Sequence, residues 1–378
     1  TPMSTRERRD RSNESDRFLS KLFHDALKTH CETDTGKEIA LAAVGGYGRG
    51  ELSPGSDLDI LILHNGKISQ EKLKAIVNDL LYPLWDKNSV DHSVRTRGET
   101  REAASVDLRV ATGLLDIRLI AGNSDLVASV QGDSLEYWRR NTKENLPELK
   151  RSLSERHVRA GELAYLLEPD LKEARGGLRD IQALRAISLT GVVTVPLEKI
   201  SWAEATLNNV RESLHIASGR GKDRLLFQEQ DKVASLLKYS DADAMMSDVA
   251  RAARSVDFLL NYTWHALEHK ASDGISRILR RDRVATVAKN VSASNREISI
   301  DPLNSLDEDP VVGLRAAATA AQLGLPLALD SCTELAARLK SGEGKLSNPW
   351  PEEARELLIT FIGAGATLVG IFESLAPA

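Results

Sequence analysis

The chain is 378 residues long, enough to bury a large core and to form two or three domains. Aromatic residues make up only 4% while Ala, Leu, Arg, Asp and Glu abound, which points to a mostly helical protein with a small sheet. A formal net charge of −5 argues against a chain that lives on nucleic acid or on an acidic membrane.

The start, Thr1 to Asp16, is charged and poor in apolar residues and reads as a frayed terminus or tag remnant. Arg17 to Cys31 carries Phe18, Leu19, Leu22, Phe23, Ala26 and Leu27 as a helical apolar stripe. An apolar run, Ile39 to Val44, then breaks at Gly45-Gly46. A polar turn with Gly48, Arg49, Gly50, Pro54, Gly55 and Ser56 leads into a second strand, Asp57-Leu58-Asp59-Ile60-Leu61-Ile62-Leu63. Residues two apart on a strand share a face, so Asp57 and Asp59 project side by side. Two such carboxylates repel each other unless a divalent cation neutralises them. Glycines let backbone N–H groups approach a phosphate, and a helix start near Gly48-Arg49 would add its dipole. Paired aspartates facing a Gly-Gly loop suit metal-assisted attack on a nucleoside triphosphate, whereas either element alone is weak.

Helical spacing returns in Ile68, Leu73, Ile76, Val77, Leu80, Leu81 and Leu84, followed by Val90 to Thr96, VDHSVRT, as a third strand. This order predicts a small mixed sheet with helices on one side. Asp91, Ser93 and Arg95 alternate onto one face. Asp91 either completes a three-carboxylate metal site or is a strand-end surface carboxylate, and Arg95 either meets a triphosphate or balances the acidic cluster. Glu99 to Gly122 reads as helix, with Asp107 and Arg118 as caps or surface ion pairs, and a long helix is expected over roughly Ser134 to Leu167.

The second informative stretch is LEPDLKEARGGLRDIQ, Leu167 to Gln182: an extended segment, a Gly176-Gly177 turn and a helix starting near Leu178. Lys172 supplies a point charge and the glycine turn free N–H donors, again suited to phosphate, although a plain interhelical turn has the same outline. Beyond it, Arg220 and Gln230 read as packing or capping residues. Asp241 to Lys270 reads as one long helix. Its His265 and His269 are four apart but have no third ligand. Gly274 to Asp301 reads as a short hairpin and Asp309-Pro310 as an N-cap with the first helical residue. The apolar run Leu357 to Phe372 is short and interrupted by Gly363, Gly365 and Gly370, so a buried helix pair or domain junction is expected rather than a membrane span. Cys31 and Cys332 match no metal spacing and no secretory leader is visible, so reduced thiols in the cytoplasm are expected.

Taken together, GGYGRGELSPGSDLDILIL, HSVRT and LEPDLKEARGGLRDIQ resemble bacterial PII uridylyltransferase/uridylyl-removing enzymes, members of the DNA polymerase β nucleotidyltransferase superfamily. The resemblance implies an α+β chain: a small mixed-sheet nucleotidyltransferase domain over 17–125, a mostly helical nucleotide- and substrate-binding domain over 126–300, and a helical extension over 301–378. It implies Mg²⁺ on Asp57, Asp59 and Asp91, with Gly45, Gly46, Arg49, Ser56, Lys172, Gly176 and Gly177 around the nucleotide. Asp180 would orient the second glycine turn or a metal-bound water. The implied donor is UTP or ATP and the implied acceptor a tyrosine of the PII signalling protein, with neither nucleic acid nor membrane as partner. Glutamine synthetase as target, or a nucleotide sensor without chemistry, are the alternatives. The family's His-Asp hydrolase motif has no counterpart here, since the one such dipeptide, His24-Asp25, precedes the signature. A fragment without uridylyl-removing activity or glutamine sensing is therefore expected.

Overall fold

The computed structural model describes residues 5–30, 37–85, 90–276, 285–294, 296–303 and 305–375; Cys31 lies outside them. The chain divides into two compact units, Thr1–Ala252 and Ala253–Ala378, with the boundary inside one long helix.

The first unit is built on a four-stranded sheet. In chain order it runs α1 (Thr5–His30), β1 (Ile39–Ala43), the one-turn α2 (Gly45–Gly48), β2 (Leu58–His64), α3 (Gln70–Trp85), β3 (Val90–Thr96), α4 (Arg97–Val106), α5 (Leu108–Leu114) and β4 (Arg118–Gly122). Strand order is β3-β2-β1-β4, with β2 and β3 parallel and the other pairs antiparallel. Leu19 and Phe23 of α1 and Ile76, Leu80, Leu81 and Leu84 of α3 close over Ile39, Leu41, Ile60 and Ile62 on one face. The alternate residues Ala40, Ala42, Leu61 and Leu63 are equally buried, because α6 (Ser124–Arg140) packs on the other face. Helices thus cover both faces, not one. That is why β1 and β2 read as continuous apolar runs rather than as alternating patterns.

Helices α7 (Thr142–Ala160), α8 (Leu178–Thr190), α9 (Ser201–Ser218), α10 (Phe227–Leu237) and α11 (Ala242–Ser276) follow. The mixed sheet and the helical part that follows it bear out the α+β expectation, as do the helix start at Leu178 and the long α11. Several boundaries differ. The segment 99–122 is two short helices and a strand. The expected helix over 134–167 is instead α6 and α7, broken at Asn141 and stopped at Gly161, whose φ of 75° no side-chain-bearing residue holds comfortably. Gln230 does pack, its side chain donating to the Leu167 carbonyl at 2.7 Å.

The charged start is not frayed. From Thr5 onward it is helical, and Arg8 and Arg11 both reach Glu212 of α9, at 3.2 and 2.7 Å, while Arg11 also donates to the Leu52 carbonyl at 2.6 Å. Glu212 has no exposed side-chain surface and Arg8 almost none, so that ion pair is out of water, while Arg11 reaches in from the surface.

The second unit, beginning within α11, contains the three-stranded antiparallel sheet β5 (Ala285–Ala288), β6 (Val291–Ser294) and β7 (Glu297–Ile300), one strand more than the expected hairpin; residues 277–284 of that segment lie outside the described ones. Helices α12 (Val312–Leu323), α13 (Leu329–Ser341), α14 (Glu352–Ile362) and α15 (Ala366–Leu375) complete it. Val291, Ile298, Val312 and the alanines of α12 form its core. Asp309 does not cap a helix; its carboxylate pairs with Arg315 at 2.6 Å and accepts from Asn290 at 2.8 Å. Among the described residues no helix is long and apolar enough to cross a membrane.

Removing the Glu212 charge takes the carboxylate away from the buried Arg8 and the partly exposed Arg11. Glu212→Gln is expected to lower unfolding free energy by about 3–5 kcal/mol, measured by urea denaturation. A loss below about 1 kcal/mol would mean that the α1–α9 pairing contributes little.

Candidate active site

The site forms where β2 begins. Leu58, Ile60 and Ile62 point into the core under α1 and α3, so Asp59 points to the opposite face, at its edge. Parallel pairing sets Asp59 directly beside Asp91 of β3, and residues so paired share a face. Val90 and Val94 pack toward the core, which leaves Asp91 on the carboxylate side. Asp57 precedes the strand and is exposed.

Burial, then the charges of Asp91 and Asp57, push the Asp59 carboxyl above its ordinary range, with Lys172 and Arg179 opposing the shift. Two further carboxylates and two cations thus act electrostatically on one partly buried group. Arg179 was not singled out by sequence reasoning. It is the second residue of α8, hydrogen-bonded to Glu173 at 3.2 Å, and the sequence signal was its place two residues after the Gly-Gly pair.

The turn after β1 starts at Gly45, not near Gly48-Arg49. Gly45 lies against the site, a side chain there meeting the Asp59 carboxylate at 3.4 Å. The amides of Gly45 and Gly46 open this turn, where no preceding carbonyl of the same turn can take them. The Asp59 carbonyl accepts from Val44 N–H at 3.1 Å, tying turn to strand. Tyr47 anchors the turn from behind. Its hydroxyl donates to Asp16 of α1 at 2.7 Å, and Arg118 bridges Asp16 and the Tyr47 and Gly48 carbonyls. Burial and then the Asp16 carboxylate push the Tyr47 phenol far up, so it stays a neutral donor.

Arg49 does not face the carboxylates. It is engaged by Glu51 at 2.8 Å and by Asp116, and Glu51 continues through Arg185 to Glu204 at 2.8 and 2.6 Å. Ser56 closes its own turn, its hydroxyl accepting from Ser53 N–H at 3.0 Å.

In the second stretch the glycine amides are not free donors. Gly176 N–H donates to the Asp180 carboxylate at 2.6 Å and Gly177 N–H to the Ala174 carbonyl at 2.9 Å. Gly176 has φ of 84°, and a Cβ on Gly177 would sit 2.7 Å from the Ala174 carbonyl oxygen, so both positions require glycine for shape. Asp180 has no exposed surface and is held by Arg156 and by His157 at 2.9 Å. Burial would raise its pKa, but the His157 hydrogen bond, the Arg156 charge and the Gly176 amide together hold it below the usual range. Asp180 therefore orients the turn. The cations whose charge acts on Asp59 are Lys172 and Arg179.

These features define the class: a nucleotidyltransferase domain, and residues 25–89 match the family model described as a nucleotidyltransferase domain. Residues 144–192 and 196–264 match the model described as GlnD PII-uridylyltransferase. The chain is 42% identical over 96% of its length to a bifunctional uridylyltransferase/uridylyl-removing enzyme of Streptomyces coelicolor, covering 44% of that protein. It is 36% identical over 89% of its length to one from Mycobacterium tuberculosis, covering 42% of it, and 31% identical over 83% to one from Corynebacterium glutamicum, covering 44%. The chain is thus similar along nearly its whole length to enzymes of this name and spans less than half the length of these curated relatives.

Nucleotidyltransferase domains generally use divalent metal ions. The donors here fit such an ion chemically: Asp57, Asp59 and Asp91 offer only hard oxygens, and a cation relieves the repulsion that raises Asp59. Among the described residues no three His, Cys, Asp or Glu side chains converge as a ready-made ligand cluster, so the carboxylates stand as neighbours rather than as a closed cage.

The raised Asp59 carboxyl sets a pH dependence. A carboxyl whose folded pKa exceeds its unfolded value weakens the fold as pH rises above the unfolded value, about 3.9, and through the folded one. Asp59→Asn should therefore raise the melting temperature at neutral pH, with the gain fading as pH falls through that window. Mg²⁺ should stabilise the wild type and leave Asp59→Asn unmoved in the same thermal scans. Equal stabilisation of both would place the ion elsewhere.

Proposed function

We propose that this chain transfers a nucleotidyl group, UMP with AMP as the alternative, from a nucleoside triphosphate to a tyrosine hydroxyl of the PII signalling protein, releasing pyrophosphate. The observation that carries this reading is the in-register pair Asp59 and Asp91 beside the Gly45-Gly46 turn, with the charges of Lys172 and Arg179 acting on Asp59. The match to the family model and the names of the relatives support the donor and the acceptor.

Mg²⁺, held by Asp57, Asp59 and Asp91, would supply charge that lowers the proton affinity of the attacking hydroxyl and neutralises the departing phosphates. The residues of the chain do the positioning. The amides of Gly45 and Gly46 receive phosphate oxygens, and Ser56 holds the turn that leads into Asp57. Lys172 and Arg179 bind the triphosphate from the side opposite the carboxylates. Gly176 and Gly177, clamped by Asp180, keep Lys172 and Arg179 on one side of the nucleotide. The tyrosine oxygen bonds to the α-phosphorus as the bond to the bridging oxygen breaks. Arg49 acts at one remove, holding the glycine loop through Glu51 and Asp116. The setting that goes with UTP, PII and the buried thiol of Cys332 is the cytoplasm.

Intact mass of a PII protein incubated with this chain, Mg²⁺ and UTP or ATP separately tests the reading. A uridylyl or adenylyl increment is expected with one of the two. Asp59→Asn should slow its appearance by about a hundredfold or more, the loss that follows when several kcal/mol of charge stabilisation disappears. No increment with either nucleotide overturns the proposal, and nucleotide binding without pyrophosphate release would identify a sensor.

A further inference from the structure

A buried polar network behind the site has no part in the chemistry above. Its centre is Asp223, whose Oδ1 accepts from Arg211 Nε at 2.6 Å and His215 Nε2 at 2.9 Å. Its Oδ2 lies 3.9 Å from Lys172 Nζ, and its backbone carbonyl accepts from Leu171 N–H at 2.9 Å. Lys172 is thus referenced to Asp223 through its side chain and through its neighbour's backbone.

The same network reaches the turn that precedes Asp57. Arg211 donates to the Ser53 hydroxyl at 3.1 Å, and His215 Nδ1 accepts from Gly55 N–H at 3.3 Å. Nδ1 accepting while Nε2 donates describes a neutral imidazole. The backbones also touch: a Cβ on Gly221 would sit 2.0 Å from the Gly55 carbonyl oxygen. The turn and the lysine, more than a hundred residues apart in sequence, therefore share one reference point.

The two carboxylate oxygens have separate tasks. Oδ1 is occupied by buried donors, the His215 side chain having no exposed surface. Oδ2 holds Lys172 by charge at a distance too long for a hydrogen bond, and the ammonium is partly exposed. A phosphate oxygen can take the ammonium's hydrogens without breaking a hydrogen bond.

We propose that Asp223, braced by His215, is a positioning residue that sets Lys172 and the Ser53–Ser56 turn relative to one another, so that the cation meets the phosphates of a nucleotide whose metal is held by the carboxylates beyond that turn. This rests on the nucleotidyl-transfer reading of the site. Misplacing a positioned group by about 1 Å costs on the order of a hundredfold in rate, which gives such a brace something to protect.

The test is a double-mutant cycle read by calorimetric binding of UTP and ATP with Mg²⁺, with melting temperatures recorded alongside. Lys172→Met is expected to weaken binding by about tenfold or more, and Asp223→Asn by about three- to tenfold. If Asp223 acts through Lys172, the double variant binds within about twofold of Lys172→Met alone. Losses that multiply instead, the signature of a merely structural residue, overturn the proposal. If Asp223→Asn melts below the assay temperature, His215→Gln replaces it in the same cycle with the same criterion. Wild-type chain that binds neither nucleotide overturns the reading of the site and this proposal with it; wild-type binding with multiplicative losses overturns this proposal alone.

Discussion

Mutual repulsion among Asp57, Asp59 and Asp91 is the constraint that the first unit is arranged around. Like charges on one edge of a sheet do not gather by themselves, and the Asp59 carboxyl, raised first by burial and then by the charges of Asp91 and Asp57, records part of that cost. The fold meets that cost with a fully apolar foundation. Strands β1 and β2 are buried on both faces, so their positions are set by packing, and the charges must accept the place that packing gives them. Lys172 and Arg179 offset part of the repulsion while leaving the carboxylates open to a further cation.

Buried ion pairs do the rest of the positioning. Asp16 holds the glycine turn through Tyr47 and Arg118, Glu51 links Arg49 to Arg185, Glu212 gathers Arg8 and Arg11, and Asp180 fixes the second glycine turn. Pairs removed from water contribute little net stability over apolar packing, because desolvation consumes most of the attraction. What distinguishes these is geometry: they tie the two glycine turns and helix α1 to other elements of the first unit. Both glycine motifs are thereby held from behind by carboxylates that never face the reaction.

Much of this was legible in the sequence, for identifiable reasons. The strand that carries Asp59 just after Asp57, the strand carrying Asp91 and the helix starting at Leu178 are local features whose signals lie within a few residues of the elements themselves. What was not legible depends on distant partners. Arg8, Arg11 and Asp16 look like a solvated charged tail until Glu212, Tyr47 and Arg118 are brought beside them. The strand Arg118–Gly122 hides in a run whose Leu114, Leu115 and Leu119 keep helical spacing; only its pairing with β1 makes it a strand. Arg49 and the amides of Gly176 and Gly177 have the chemistry of phosphate ligands, but Asp116, Glu51, Asp180 and the Ala174 carbonyl engage them first, and no spacing rule announces that competition.

The parallel register of β2 and β3 makes hydrophobic packing a ruler for charge. Side chains on a strand alternate between faces, so sliding β3 by one residue would bring Val90 or His92 beside Asp59 and turn Asp91 toward the core. Val90 and Val94, packed against the core, oppose that slide, since it would carry them out to the polar face. Two valines that touch neither nucleotide nor metal thus fix the distance between two negative charges. A substitution there would reach the chemistry as an error of alignment, leaving every polar group of the site present but out of step.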